Sequence, residues 1–173
     1  MANHMYDAVH KMRSKWDKKF WIALVAALVL LAVTGTPALR SVIQRNEFRH
    51  FAEDLAQNSS LSMRKGTVTL EMDGETFPLE AANDYNYFIR QLTTVGPGRK
   101  NSAPAEPPEA VVHFSTGAKL ELWSVNLQGY STNGRSVGLY LRYTYRDGKV
   151  YSDENGLISP SSMIRMLVQS VSQ

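Results

Sequence analysis

From Phe20 to Leu39 the chain reads FWIALVAALVLLAVTGTPAL, a run without a single charge, bounded by Lys19 and Arg40. At 1.5 Å per residue, a helix of that length spans about 30 Å, the thickness of a bilayer's hydrocarbon core. Ile22 to Val33 shows no polar face, as the core helix of a soluble protein would. Trp16, Phe20 and Trp21 gather at one boundary, where amphipathic rings favour the headgroup level. The pattern predicts a transmembrane helix over residues 20–39. A cleaved signal peptide is the rival, since Thr36-Pro37-Ala38 loosely resembles a cleavage site. The apolar run is long for that role and Pro37 lies inside the site, so an uncleaved anchor is expected.

Pro37 cannot donate a helical hydrogen bond, so a kink or a restart is expected there. Helical spacing then resumes through about Gln57, giving a juxtamembrane helix over residues 40–60. At 100° per residue Leu39, Val42 and Ile43 share one side, and Phe48, Phe51, Ala52 and Leu55 share roughly the opposite one. The first set suits lipid or headgroups and the second suits docking onto a folded domain. Two short helices with a break between them fit the same pattern. Asn58-Ser59-Ser60 is expected to end the helix, and it is also a formal glycosylation sequon.

Beyond residue 60 the periodicity shortens to two. Val68, Leu70 and Met72 alternate with polar neighbours, Asp73-Gly74 signals a two-residue hairpin, and Phe77 and Leu79 lie on the return strand. Asn83 is placed to cap a helix with Tyr85, Phe88, Ile89, Leu92 and Val95 inward. Residues 96–109 (GPGRKNSAPAEPPE) carry nothing more apolar than alanine and proline, and read as an exposed loop. Strands follow at Ala110–Ser115 and Lys119–Val125, then a Gly/Asn/Ser-rich stretch at Gln128–Ser136. The strongest strand is Val137–Arg146, with Val137, Leu139, Leu141, Tyr143 and Tyr145 on one face. Asp147-Gly148 turns it into Lys149–Ser152, and Pro160 opens a helix with Met163, Ile164, Leu167, Val168 and Val171 inward. Strand, Asp-Gly, strand, helix therefore occurs twice, at Thr67–Val95 and Leu139–Val171. The expected fold is α+β: a single transmembrane helix, then a small antiparallel sheet over residues 61–173 with helices on one face.

Charge changes the picture only at the N-terminus. Up to Lys19 there are five basic residues against Asp7 and Asp17; from Arg40 onward 14 Lys/Arg (19 less 5) face 14 Asp/Glu (16 less 2). The basic pI thus belongs to a short tail, residues 1–19, and the folded domain has no surplus with which to bind nucleic acid. The tail also outnumbers Arg40, Arg45 and Arg49 beyond the helix, so the positive-inside rule puts the N-terminus in the cytoplasm and the domain outside it. There are no cysteines, which excludes disulfides and thiolate chemistry and fits a bacterial envelope.

Catalytic chemistry is not legible. His4, His10, His50 and His113 show no metal-ligand spacing, and no elbow serine or phosphate-binding loop occurs. No cofactor and no enzymatic activity are expected. A binding surface is the better candidate: Tyr140, Arg142, Thr144 and Arg146 lie on the second face of the strongest strand, and Arg99 and Lys100 open the long loop. Expected partners are the lipid bilayer and other membrane or envelope proteins. A homo-oligomer is compatible with Ala23 and Ala27, a small-xxx-small pair. The function expected is a non-enzymatic accessory or assembly subunit of a membrane or envelope complex. A sensor or ligand-binding domain and an envelope hydrolase are the alternatives.

Overall fold

The computed structural model describes residues 2–127 and 137–171, with side chains from Lys18 onward except Thr34. The expected loop at Gln128–Ser136, Tyr130 within it, and the side chain of Trp16 lie outside the described residues. The chain divides into two compact units, Met1–Ile43 and Gln44–Gln173.

Helix α1 runs without interruption from Ala2 to Arg64. By length and composition it contains a stretch able to cross a bilayer, with none of that apolar window buried. The helix does not restart at Pro37, which lies inside it. Its ring forgoes only the bond to the Val33 carbonyl, and the adjacent Thr36 hydroxyl donates to the Ala32 carbonyl at 2.8 Å. The helix also does not end at Asn58-Ser59-Ser60 but continues a further turn to Arg64.

In the second unit the strands are β1 (Thr69–Met72), β2 (Glu75–Pro78), β3 (Ala110–His113), β4 (Lys119–Asn126), β5 (Val137–Thr144) and β6 (Val150–Asn155). Helices α2 (Asn83–Thr94) and α3 (Pro160–Gln169) complete it. The unit is α+β, with one six-stranded antiparallel sheet in the order β2-β1-β3-β4-β5-β6. The doubled pattern of the sequence is visible in this order. Each ββα segment puts its first strand inward and its second at an edge, and the β3-β4 hairpin fills the middle.

The turns follow from their glycines. Asp73 and Gly74 both take positive φ (51° and 79°), the primed two-residue turn that suits the twist of a hairpin. Asp147-Gly148 differs: only Gly148 is left-handed, and Tyr145 receives a bond from Gly148 N–H while donating to Lys149, a three-residue loop. Asn83 does not cap α2. The cap position is Ala82, with no side-chain bond to the helix.

One face of the sheet is the core. Leu70, Val112, Leu120, Leu122, Leu139, Leu141, Tyr143 and Tyr151 project from it onto Phe51 and Leu55 of α1, Tyr85, Phe88 and Leu92 of α2, and Met163 and Leu167 of α3. Each large side chain so buried contributes roughly 1.5–3 kcal/mol. Val168, expected inward, is 49% exposed. It borders a shallow apolar crevice of about 240 Å³ beside Met72 and Phe77.

Polar groups tie α1 into this core. Tyr143 Oη donates to Asp54 Oδ2 at 2.7 Å, and Asn58 Nδ2 donates to Asp54 Oδ2 and to Tyr143 Oη. Ser59 donates to Tyr85 Oη at 3.0 Å, and Ser115 donates to Ser62 Oγ through both its backbone N–H and its hydroxyl. Asn58 is buried with its amide nitrogen committed, so the sequon presents no accessible acceptor.

Candidate interaction face

Among the described residues no helix packs on the other face of the sheet. Alternation along the paired strands gives it Glu71, His113, Lys119, Glu121, Trp123, Tyr140, Arg142 and Thr144. Register brings Glu121 opposite Arg142 and Lys119 opposite Thr144. Glu121 is only 4% exposed, yet it is charged and well bonded. Arg142 donates to it twice, from Nε at 2.5 Å and from an amino group at 2.8 Å, and Lys119 Nζ stands 3.0 Å away. Burial pushes the Glu121 carboxyl up, but the bonds from Arg142 and Lys119 together outweigh it and hold the group below its ordinary value. The same bond raises Arg142. Arg142 also lies over the Trp123 ring at 5.3 Å, and His113 Nε2 meets Glu71 Oε2 at 2.9 Å.

The loop of residues 96–109 is exposed along most of its length, as expected, but it is also a strap bonded to the sheet. Arg99 and Glu154 exchange two backbone bonds at the outer edge of β6. Gly98 N–H donates to Asp153 Oδ2 at 2.7 Å, and Asn101 Nδ2 donates to Glu154 Oε2. The chain then crosses the second face. Trp123 Nε1 donates to the Glu106 carbonyl, Tyr140 Oη lies 3.4 Å from the Asn101 carbonyl, and Ser124 is bonded to the Glu109 carboxylate by both N–H and hydroxyl. The physical reason is the aromatic pair underneath. Trp123 and Tyr140 stack edge-on at 5.5 Å, and a chain passing over them removes both from water.

The six residues of the expected surface therefore have different fates. Tyr140 is 2% exposed and lies under the strap, so it presents no surface of its own. Arg142 and Thr144 are half-buried on the open part of the face. Strand β5 ends at Thr144, which leaves Arg146 exposed in the following turn rather than on the strand. Arg99 and Lys100 sit at the edge of β6 instead. Lys100 Nζ is 3.0 Å from Glu47 of α1 and 4.2 Å from the Tyr151 ring centre. Of the residues expected at the membrane boundary, Phe20 and Trp21 are exposed on α1, at 63% and 62%.

Sequence reasoning reaches Trp123 only as one of the aromatic residues of the sheet region and does not single out Glu121 or Lys119, which lie with it at the centre of the face. Their alternation in KLELW is readable, but their pairing with Arg142 needs the β4–β5 register, which no short turn specifies. Among the described residues no group of three or more His, Asp or Glu could hold a metal. A cleft of about 330 Å³ lies beside the strap, lined by Pro97, Gly98, Arg99, Leu127, Glu154 and neighbouring residues. The face can offer alternating fixed charges and polar groups to another surface. No family model matches the chain, and neither the curated proteins nor the solved structures yield a match.

Proposed function

We propose that this chain is a single-pass membrane protein, N-terminus in the cytoplasm, whose extracytoplasmic domain works as a non-enzymatic interaction subunit of a membrane or envelope complex. The observation that carries the reading is the uncharged stretch Phe20–Leu39 within α1, whose large side chains from Phe20 to Val33 are 37–69% exposed. Water would not tolerate such a surface, whereas lipid would cover it. The interaction role rests on the helix-free face, where Lys119, Arg142, Thr144, Glu71 and His113 remain accessible in part beside the strap. Its charges are held in place by Glu121 and by each other, which suits recognition more than turnover.

The test is extraction from native membranes in a gentle detergent, followed by isolation of the chain through an affinity tag. A defined partner lost on Arg142→Glu supports the reading. A strictly monomeric chain, or a partner retained at full strength by Arg142→Glu and Arg146→Glu alike, counts against it.

A further inference from the structure

The strap is seated on a buried carboxylate with a missing bond. Asp153 of β6 is 2% exposed. Its Oδ2 accepts from Gly98 N–H, while its Oδ1 and the neighbouring Tyr151 hydroxyl are buried with no hydrogen-bond partner. Residues 97–101 form the cover: a Cβ added at Gly98 would collide with the Glu154 carbonyl and come within 2.9 Å of Asp153 Oδ1. Only glycine lets the backbone lie this close. Lifting this short segment would hydrate the carboxylate and part Lys100 from Glu47 of α1.

We propose that residues 97–101 act as an acid-closed latch, held on β6 when Asp153 is protonated and released when it ionises. A neutral carboxyl can donate from one oxygen and accept at the other, whereas an anion here carries its charge desolvated, with one oxygen outside hydrogen-bond geometry of the described donors. Burial pushes the Asp153 carboxyl up to about 6, against the opposing pull of Gly98 N–H, Lys100, the Tyr151 hydroxyl and Glu154 N–H. The groups around it are Arg99 and Lys100 from the strap, Tyr151 and Glu154 from β6, Glu47 from α1 and Tyr145 after β5. Burial drives both tyrosines upward, Tyr145 to about 12 and Tyr151 further, so neither titrates near neutrality. The latch covers Tyr140 through the Asn101 carbonyl, so release would open part of the second face. The proposal does not depend on the membrane reading.

A carboxyl raised only in the closed state favours closure at low pH and loses that advantage as pH rises through about 6. From an ordinary value near 4 when open, the opening equilibrium should grow about tenfold between pH 5 and pH 7. Hydrogen exchange on the full chain in detergent, followed in peptides covering residues 97–101 and corrected for intrinsic amide rates, reads this directly. The expected result is about tenfold weaker protection at pH 7 than at pH 5. Asp153→Asn, which keeps an acceptor for Gly98 and gains a donor, should abolish the difference, and Glu47→Gln should leave it. Equal or stronger protection at pH 7 in the unmodified chain would overturn the proposal, and so would an undiminished pH effect in Asp153→Asn.

Discussion

Two stretches of α1 follow opposite rules. Phe20–Val33 is apolar throughout and its large side chains face outward, whereas Asn58, Ser59 and Ser62 are polar and buried at 7%, 6% and 0% exposure. Helical geometry is common to both, so the difference lies in what surrounds them. The first stretch makes no contact that removes it from solvent within its own unit. The second sits among the hydroxyls of Tyr143, Tyr85 and Ser115, which satisfy its polar atoms. Burial on this helix is therefore decided by available partners rather than by hydrophobicity alone.

The contrast can be broken at several points. The largest effect belongs to the apolar stretch. Leu28→Arg with Leu31→Arg should cost about 5–7 kcal/mol of insertion, from roughly 2.5–3.5 kcal/mol per arginine at a helix centre. The chain should then move from the carbonate-resistant membrane pellet to the soluble or degraded fraction. Next comes the apolar seam of the second stretch. Phe51 is fully buried and stacked on Tyr151 at 4.5 Å, so Phe51→Ala should lower unfolding stability in urea by about 3–5 kcal/mol.

A pH-dependent effect follows in size. The folded state raises the Asp153 carboxyl from 3.8 to about 6, so this group's contribution is most favourable below about 4 and is lost as pH rises through 6. Asp153→Asn should therefore stabilise the protein by roughly 2–3 kcal/mol more at pH 7 than at pH 4, relative to the parent chain. Paired urea titrations at the two pH values check it. The smallest effects test the polar seam. Tyr143→Phe leaves Asp54 and Asn58 short of a partner and should cost about 1–3 kcal/mol, and Ser59→Ala about 1 kcal/mol. If both substitutions prove neutral, the buried polar residues of α1 are passengers and the contrast is wrong.

How far this was readable depended on the distance over which information travels along the chain. The apolar run, the Asp73-Gly74 turn, the inward residues of α2 and the doubled ββα pattern are local signals, and each appears in the fold. The end of α1 was misread because Asn58-Ser59-Ser60 resembles a helix stop, while Tyr143 and Tyr85, which accept it into the core, lie 85 and 26 residues away. The same reason hid the strap. Nothing in GPGRKNSAPAEPPE is apolar enough to announce packing, because its hold on the sheet runs through polar atoms, with backbone groups meeting Glu154, Trp123 and Leu122 and the Asn101 and Glu109 side chains meeting Glu154 and Ser124. Alternation correctly puts Tyr140 on the second face, where it would be a surface residue. It is covered because a remote loop crosses that face, and strand periodicity carries no trace of it.

The proposed topology places the N-terminal tail and the folded domain on opposite sides of a membrane. Because the chain contains no cysteine, single substitutions report position without background. Ala103→Cys, on the exposed strap, and Ala8→Cys, in the tail, can be labelled with a membrane-impermeant maleimide in intact cells and again after permeabilisation. The expected result is labelling of Ala103→Cys in intact cells and of Ala8→Cys only after permeabilisation. The reverse order would invert the topology, and labelling of neither or both in intact cells would contradict a chain that crosses the membrane once.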